Sequence, residues 1–510
     1  DSAADQFGVV ASLLTDASTE KVIVATDAGR EGELIFRYIY ERSGAKKPFS
    51  RLWISSLTEA AIKRGFERLR DGHDFDGLAA AARARSRADW LVGMNLSRAY
   101  SIASGETLSV GRVQTPTLAM LVERERAIRE FVAEPYLEVV ARFEADSGAY
   151  EGIFHARTPE EAARVAKGKW RYPRRETARL PADGEEAARI VARAKVGDAR
   201  VHRVERTVKA LPPPELYDLT ELQRHANRLY GFTAQRTLEL AQALYEKHKI
   251  LSYPRTDSRH LSTEVAATLP SILEAVGPRY PGLVREGELG KRFVNDAKVT
   301  DHHAILPTTT VARLPAGSDE AKLYDLVCRR LLAAYHEDCL EAVASVETRI
   351  AHAEGGVGED SFFTRGIAIE RIGWKALEVV PTRAPAPGDE PNVPPGLEEG
   401  QPTRVLDAKA VEKKTRPPSP HTEATLLTAM ETCGRNVDAK ELSDAMRDSG
   451  IGTPATRASI IETLIARGYV ERARKTLRAT PKGEALVDAV HPDVKSPAMT
   501  GEWELALKRM

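Results

Sequence analysis

Residues 21–37 read Lys-Val-Ile-Val-Ala-Thr-Asp-Ala-Gly-Arg-Glu-Gly-Glu-Leu-Ile-Phe-Arg. Val22 to Ala25 form a short apolar run of the kind a buried parallel strand carries, and the turn after it opens a helix through Leu34 and Phe36. Asp27 therefore falls at the carboxyl end of a strand, where open α/β sheets gather their ligands. Glu31 follows in the first helical turn, where the helix dipole favours an anion and a second carboxylate can converge on a hard cation. Magnesium needs only one or two carboxylates, completed by water and phosphate oxygens, so Asp27 and Glu31 are enough for a weak site. The plainer reading is an acidic helix N-terminus with Arg30 and Glu33 as solvated charges. Three acids and two glycines in so short a turn argue for more than capping.

A second segment, Ile250-Leu-Ser-Tyr-Pro-Arg-Thr-Asp-Ser258, ends an apolar, strand-like run in a phenol and places a guanidinium two positions on. A phenol has a reference pKa of about 10, so it attacks phosphate at neutral pH only with positive charge nearby. Arg255 supplies that charge and a rigid donor fork for a phosphate oxygen. Pro254 stiffens the connection, and extended-chain alternation puts Tyr253 and Arg255 on one face. Alone, the same residues also fit a strand-end tyrosine packed on a core with its hydroxyl in water.

Asp27-Ala-Gly-Arg-Glu-Gly-Glu33 resembles the acidic motif of a Toprim domain, and Tyr253-Pro-Arg-Thr-Asp-Ser258 resembles the active-site motif of type IA DNA topoisomerases. Ser109-Val-Gly-Arg-Val-Gln-Thr-Pro-Thr117 and Asp301-His-His-Ala-Ile-Leu-Pro-Thr308 resemble further segments of that family, the latter in its topoisomerase III form. The motifs follow the family's order across most of the chain. The resemblance implies an ATP-independent, magnesium-dependent enzyme whose Tyr253 breaks one DNA strand and keeps a 5′-phosphotyrosine while another strand passes. Rejoining then relaxes negative supercoils or decatenates. Arg255 and His302 would assist at the phosphate. Arg30, Arg87, Arg112, Gln114, Arg224, His303 and Arg457 would contact DNA. Trp90 and Phe232 are candidate stacking platforms, although core packing is the simpler reading of both. Single-stranded DNA and negatively supercoiled or catenated duplex DNA are the implied substrates, with a helicase as a further partner of a monomer.

Two departures stand out. The family's acidic pattern commonly has a second Asp where this chain has Gly29, so the resemblance implies metal binding on Asp27 and Glu31 with Glu33 in reserve. The family's Glu and Lys on an earlier strand have no counterpart before Val22, so the expectation is a fragment truncated within its Toprim domain. The alternative reading is then a non-catalytic fragment that binds single-stranded DNA. A Toprim nuclease or primase is disfavoured, because neither needs the Tyr253 segment.

The chain has 510 residues, with Lys plus Arg and Asp plus Glu each 74 and a net charge of zero. That excludes a blanket polycation, so DNA affinity must come from local basic surfaces such as Arg83, Arg85, Arg87 and Arg98, or Arg224, Arg228 and Arg236. Cys328, Cys339 and Cys433 are too scattered for a zinc ribbon or disulfide frame, which points to a reduced, cytoplasmic setting. No apolar run spans a membrane, and no Gly-Lys-Ser or Gly-Lys-Thr phosphate loop is present.

The expected fold class is multidomain α/β plus mixed α and β, a toroid of a truncated Toprim domain, a β-rich arch and winged-helix-like helical domains. The expected divisions are Toprim 1–70, helical DNA-binding 71–134, arch 135–214, gate 215–345 with Tyr253, arch again 346–410, and helical DNA-binding 411–510. Within them, Arg51–Ser55 reads as a strand, β segments run on to Arg206, a strand ends a helix-turn-helix at Tyr253, and a proline-rich loop covers 381–402.

Overall fold

The computed structural model describes residues 2–56, 58–156, 170–352, 358–379, 393–436 and 450–509. Residues 381–392 of the proline-rich stretch lie outside that set. The chain divides into two compact units, one of residues 1–129, 214–335 and 419–510, the other of residues 130–213 and 336–418.

The first unit opens with helix α1 (Ser2–Thr15) and a small sheet, β1 (Val22–Val24), β2 (Phe49–Arg51) and β3 (Arg70–Asp71). β1 pairs parallel with β2, and β2 antiparallel with β3. Between the parallel strands runs α2 (Arg30–Ser43), which ends where Gly44 takes the left-handed φ of 69° that glycine adopts without steric cost. Thr58 caps α3 (Glu59–Glu67) by accepting from the Ala61 amide. The second strand ends at Arg51 rather than beginning there. The first strand is buried on one side only: Val24 is 2% exposed and Ile23 41%.

Helix α4 (Asp76–Ser104) leaves Trp90, Leu91 and Met94 at 64%, 50% and 49% exposure, so core packing fails for Trp90. Helix α5 (Gln114–Arg129) is instead the spine of a core, burying Leu118, Leu121 and Val122 against Leu426, Leu427, Ile461 and Leu464. Each such side chain contributes about 1.5–3 kcal/mol on leaving water.

The second unit is a closed six-stranded barrel of β4 (Pro135–Ala145), β5 (Gly148–Phe154), β6 (Ala199–Leu211), β7 (Cys339–Ala351), β8 (Glu359–Arg371) and β9 (Pro402–Lys414). Closure leaves no edge to pair with another chain. Its interior holds Val139, Phe143, Val201, Val346, Ile350 and Phe362, each fully buried. The β run expected to reach Arg206 is broken by α6 (Glu185–Val196), whose Ala187, Ile190 and Ala194 pack on the same core.

Back in the first unit, α7 (Leu219–Tyr230) and α8 (Ala234–Glu246) meet at Gly231, φ 72°, with Asp218 and Thr233 as their N-caps. No strand follows: Leu251 makes only an isolated bridge to Pro307. Helix α9 (Asp319–Ala333) packs on α8. After α10 (Glu423–Thr432), helix α11 (Pro454–Ala466) leads into the antiparallel hairpin β10 (Val470–Ala473) and β11 (Thr476–Ala479).

Candidate active site

The acidic turn is held from below by one buried cation. Arg51, 1% exposed, donates to the carbonyls of Val24 at 3.0 Å, Thr26 at 2.8 Å and Leu52 at 2.9 Å, and also to that of Asp27. Its Nε donates to Glu33 Oε2 at 3.0 Å, while Arg37 Nε donates to Glu33 Oε1 at 2.8 Å. Glu33 is therefore a buried counter-ion, 1% exposed, and not a reserve metal ligand. Arg51 escaped the sequence reading; its only signal was a guanidinium within an otherwise apolar run. Gly32 is required by space, since a Cβ there would lie 2.2 Å from the Asp27 carbonyl oxygen.

Tyr253 is positioned by chain-to-chain contacts with the Asp301–Thr308 segment rather than by a sheet. The Ser252 amide donates to the Leu306 carbonyl at 2.8 Å, and the Leu306 amide donates to Ser252 Oγ at 2.9 Å. Thr256 Oγ1 donates to the His302 carbonyl at 3.0 Å. The rings of Tyr253 and His302 lie 4.5 Å apart, and His302 Nε2 is 3.7 Å from Asp27 Oδ2, an ion-pair contact longer than a hydrogen bond. Asp27, Tyr253 and His302 line one cavity of about 650 Å³, otherwise walled largely by apolar groups such as Leu52, Ile54 and Leu306.

Charge is unbalanced there. The His302 imidazole holds the Asp27 carboxyl below its usual range. Burial first, then Asp27, push the Tyr253 phenol above its ordinary value, outweighing Arg255. Asp301 is pushed up to about 6, chiefly by burial, with Asp257, Glu31 and Asp27 adding repulsion that His302 offsets only in part. His303 turns Nδ1 to the Ala304 carbonyl at 2.7 Å, and burial lowers its pKa.

The remaining sequence candidates scatter. Arg255 is exposed, and in the amide orientation that satisfies both groups Gln242 accepts from its Nη2 at 2.8 Å. Glu31, also exposed, accepts from Arg85 at 3.0 Å, Arg30 donates to Glu504 at 3.1 Å, and Arg87 is exposed. Gln114 accepts from Arg467 at 2.6 Å. Arg112, Arg224 and Arg457, each expected to contact DNA, are buried. Arg112 is 4% exposed and pairs with Asp89, Arg224 is 7% exposed and pairs with Glu221 and Glu431, and Arg457 is 2% exposed and donates to Thr220 Oγ1 at 3.0 Å. A buried guanidinium demands such partners, and runs of basic residues do not show where they are.

Asp27 and Glu31 are hard oxygen donors that suit magnesium, and Thr26 Oγ1 beside them is buried with no hydrogen-bond partner among the described residues. Among those residues no three His, Cys, Asp or Glu side chains are already gathered as a ligand shell.

Residues 74–510 match the family model described as DNA topoisomerase. The chain is 38% identical over 513 residues to the DNA topoisomerase 3 of Bacillus subtilis, covering 98% of this chain and 67% of that protein. It is 39% identical over 522 residues to the DNA topoisomerase 3 of Shouchella clausii, covering 99% and 67%. The solved structure of full-length topoisomerase I from Thermotoga maritima matches with a TM-score of 0.67 at 23% identity, over 100% of this chain and 76% of that one, a likeness of fold. No described helix is long and apolar enough to cross a membrane.

Proposed function

The chain belongs to the bacterial type IA DNA topoisomerases of the topoisomerase III kind, and from that premise we propose that Tyr253 is its nucleophile and that the acidic turn at Asp27 serves the opposite side of the break. The observation that carries this reading is the continuity of Tyr253, His302 and Asp27 along one cavity, with 4.5 Å between the rings and 3.7 Å from imidazole to carboxylate. In the reaction, the Tyr253 oxygen forms a bond to phosphorus as the bond to the 3′ oxygen breaks. The phenol gives up a proton and the 3′ oxygen gains one. Reversal restores both, so no nucleotide triphosphate is consumed.

Burial and Asp27 hold the phenol protonated in the free protein, so attack waits on added positive charge. Arg255, exposed and, among the described residues, met by Gln242, can turn to a phosphate oxygen as strand enters. His302 meets both the phenol ring and Asp27, where it can donate to the same phosphate. Asp27 and Glu31 would hold magnesium, which when bound offsets phosphate charge and orients the 3′ end. Strand passage then yields relaxation of negative supercoils or decatenation. The six-part domain division, a helicase partner, a monomeric state and a cytoplasmic location complete the proposal.

The test incubates the protein and magnesium with a single-stranded oligonucleotide labelled at either end, followed by denaturation. Protein-bound label from the 3′-labelled strand alone, lost in Tyr253→Phe, is the expected result. Tight binding without an adduct would favour the non-catalytic reading, and an adduct in Tyr253→Phe would remove Tyr253 from its role.

A further inference from the structure

Arg30 pairs with Glu504, Arg112 with Asp89, and Arg224 with Glu221 and Glu431. Arg255 meets an amide instead: in the orientation that satisfies both groups, the Gln242 carbonyl oxygen accepts from Nη2 at 2.8 Å and from Nε at 3.3 Å. A carboxylate in that place would offset the positive charge that a phosphate oxygen has to find. A neutral acceptor orients the donor fork and leaves the charge whole.

Gln242 and Tyr245 stand three residues apart near the end of α8, a spacing that puts both on one helix face. Tyr245 meets the proposed nucleophile itself, its ring centroid 5.4 Å from that of Tyr253 with the planes at 77°, an edge-to-face contact. The covalent link between them is fixed as well. The chain leaves α8 through Lys249 at a left-handed φ of 56°, the Ile250 amide donates back to the Leu244 carbonyl at 3.0 Å, and the Thr308 amide donates to the Ile250 carbonyl at 3.0 Å. Helix α8 therefore reaches Tyr253 and Arg255 both along the chain and through its own side chains.

We propose that Gln242 and Tyr245 are positioning residues, which set the Arg255 guanidinium and the Tyr253 ring for one phosphate before a strand enters. The inference rests on the nucleophile reading above and adds two residues to it, neither of which has to touch DNA. Burial and Asp27 keep the phenol protonated and Arg255 opposes them, so the place of that guanidinium bears directly on the attacking oxygen.

Single-turnover cleavage of an end-labelled oligonucleotide by the full chain with magnesium, over a range of protein concentrations, separates the rate at saturation from the half-saturating concentration. Gln242→Met removes the acceptor at similar length and is expected to slow the saturated rate about tenfold, with the half-saturating concentration held within about twofold. In an Arg255→Ala background the same substitution is expected to slow cleavage no further, because its effect runs through the guanidinium. Tyr245→Leu is expected to slow the saturated rate about fivefold, and Tyr245→Phe, which keeps the ring, to restore it. A parent rate in Gln242→Met or in Tyr245→Leu, with slow cleavage by Arg255→Ala, removes that residue from its role and leaves Arg255 standing. A parent rate in Arg255→Ala overturns the part given to Arg255 and the inference with it. A loss from Gln242→Met that persists undiminished in the Arg255→Ala background also overturns the inference, since Gln242 would then act on the fold and not through Arg255.

Discussion

The imidazole of His302 stands 3.7 Å from the carboxylate of Asp27 across segments far apart in the chain. The same ring lies against Tyr253, so it bridges the proposed nucleophile and the acidic turn. His302→Gln is expected to slow single-turnover strand cleavage about 100-fold, the scale on which a charge-stabilising donor at a developing anion acts. Unaltered cleavage kinetics would show that the contact is packing only.

Arg51 should be the costliest residue to replace near the turn. Arg51→Met leaves Glu33 buried with one partner and strips donors from four carbonyls, an expected loss of about 3–5 kcal/mol in denaturant unfolding. Arg51→Lys should recover little, because an ammonium lacks the planar fork that reaches several acceptors at once. A loss below about 1 kcal/mol for Arg51→Met would refute the clamp.

The two glycines of the turn should behave differently. An alanine at Gly32 meets the Asp27 carbonyl at 2.2 Å, backbone that cannot swing aside, so Gly32→Ala should cost about 2 kcal/mol or more. An alanine at Gly29 meets the end of the Asp301 side chain, which can rotate, so Gly29→Ala should cost less than about 1 kcal/mol. Melting curves of the two variants decide it, and equal losses would contradict the reading.

Stability should fall with acid because of two histidines held neutral in the fold, the half-buried His225 and the buried His421. Burial, reinforced by Arg330 and Arg228, pulls His225 down to about 4, and burial with Arg124 does the same to His421. Both are neutral in the fold at pH values where the unfolded chain already protonates. Their contribution is therefore complete above the unfolded value of about 6.5 and is lost as pH falls from there toward 4, by at most about 3 kcal/mol each. His225→Gln and His421→Gln should flatten unfolding free energy against pH in that window. A slope unchanged from the parent would contradict the assignment.

Helices α7 and α8 were legible because Leu222, Ala226, Leu238, Ala241 and Leu244 repeat at helical spacing on either side of Gly231 and the Thr233 cap. The strand-turn-helix at Asp27 was equally plain, since an apolar run, two glycines and first-turn acids are neighbours in sequence. The strand assigned to Tyr253 was not there, because strand pairing needs a partner and the Asp301–Thr308 segment meets it at the single isolated bridge of Leu251 to Pro307. Trp90 read as core because helical periodicity reports that a face is apolar but not whether anything covers it.

The amino-acid order alone determined which chemistry was available: a phenol beside a guanidinium, an acidic turn after a strand, a paired-histidine segment, and the helices that carry them. Tertiary structure decided which charges are free to use it. Arg224 and Arg457 are drawn to Glu431 and Thr220, Glu33 to Arg51, and Asp301 to the space Gly29 leaves open. Local periodicity encodes contacts within a few residues, whereas the desolvation of a charge forces it to find a partner wherever chain closure brings one.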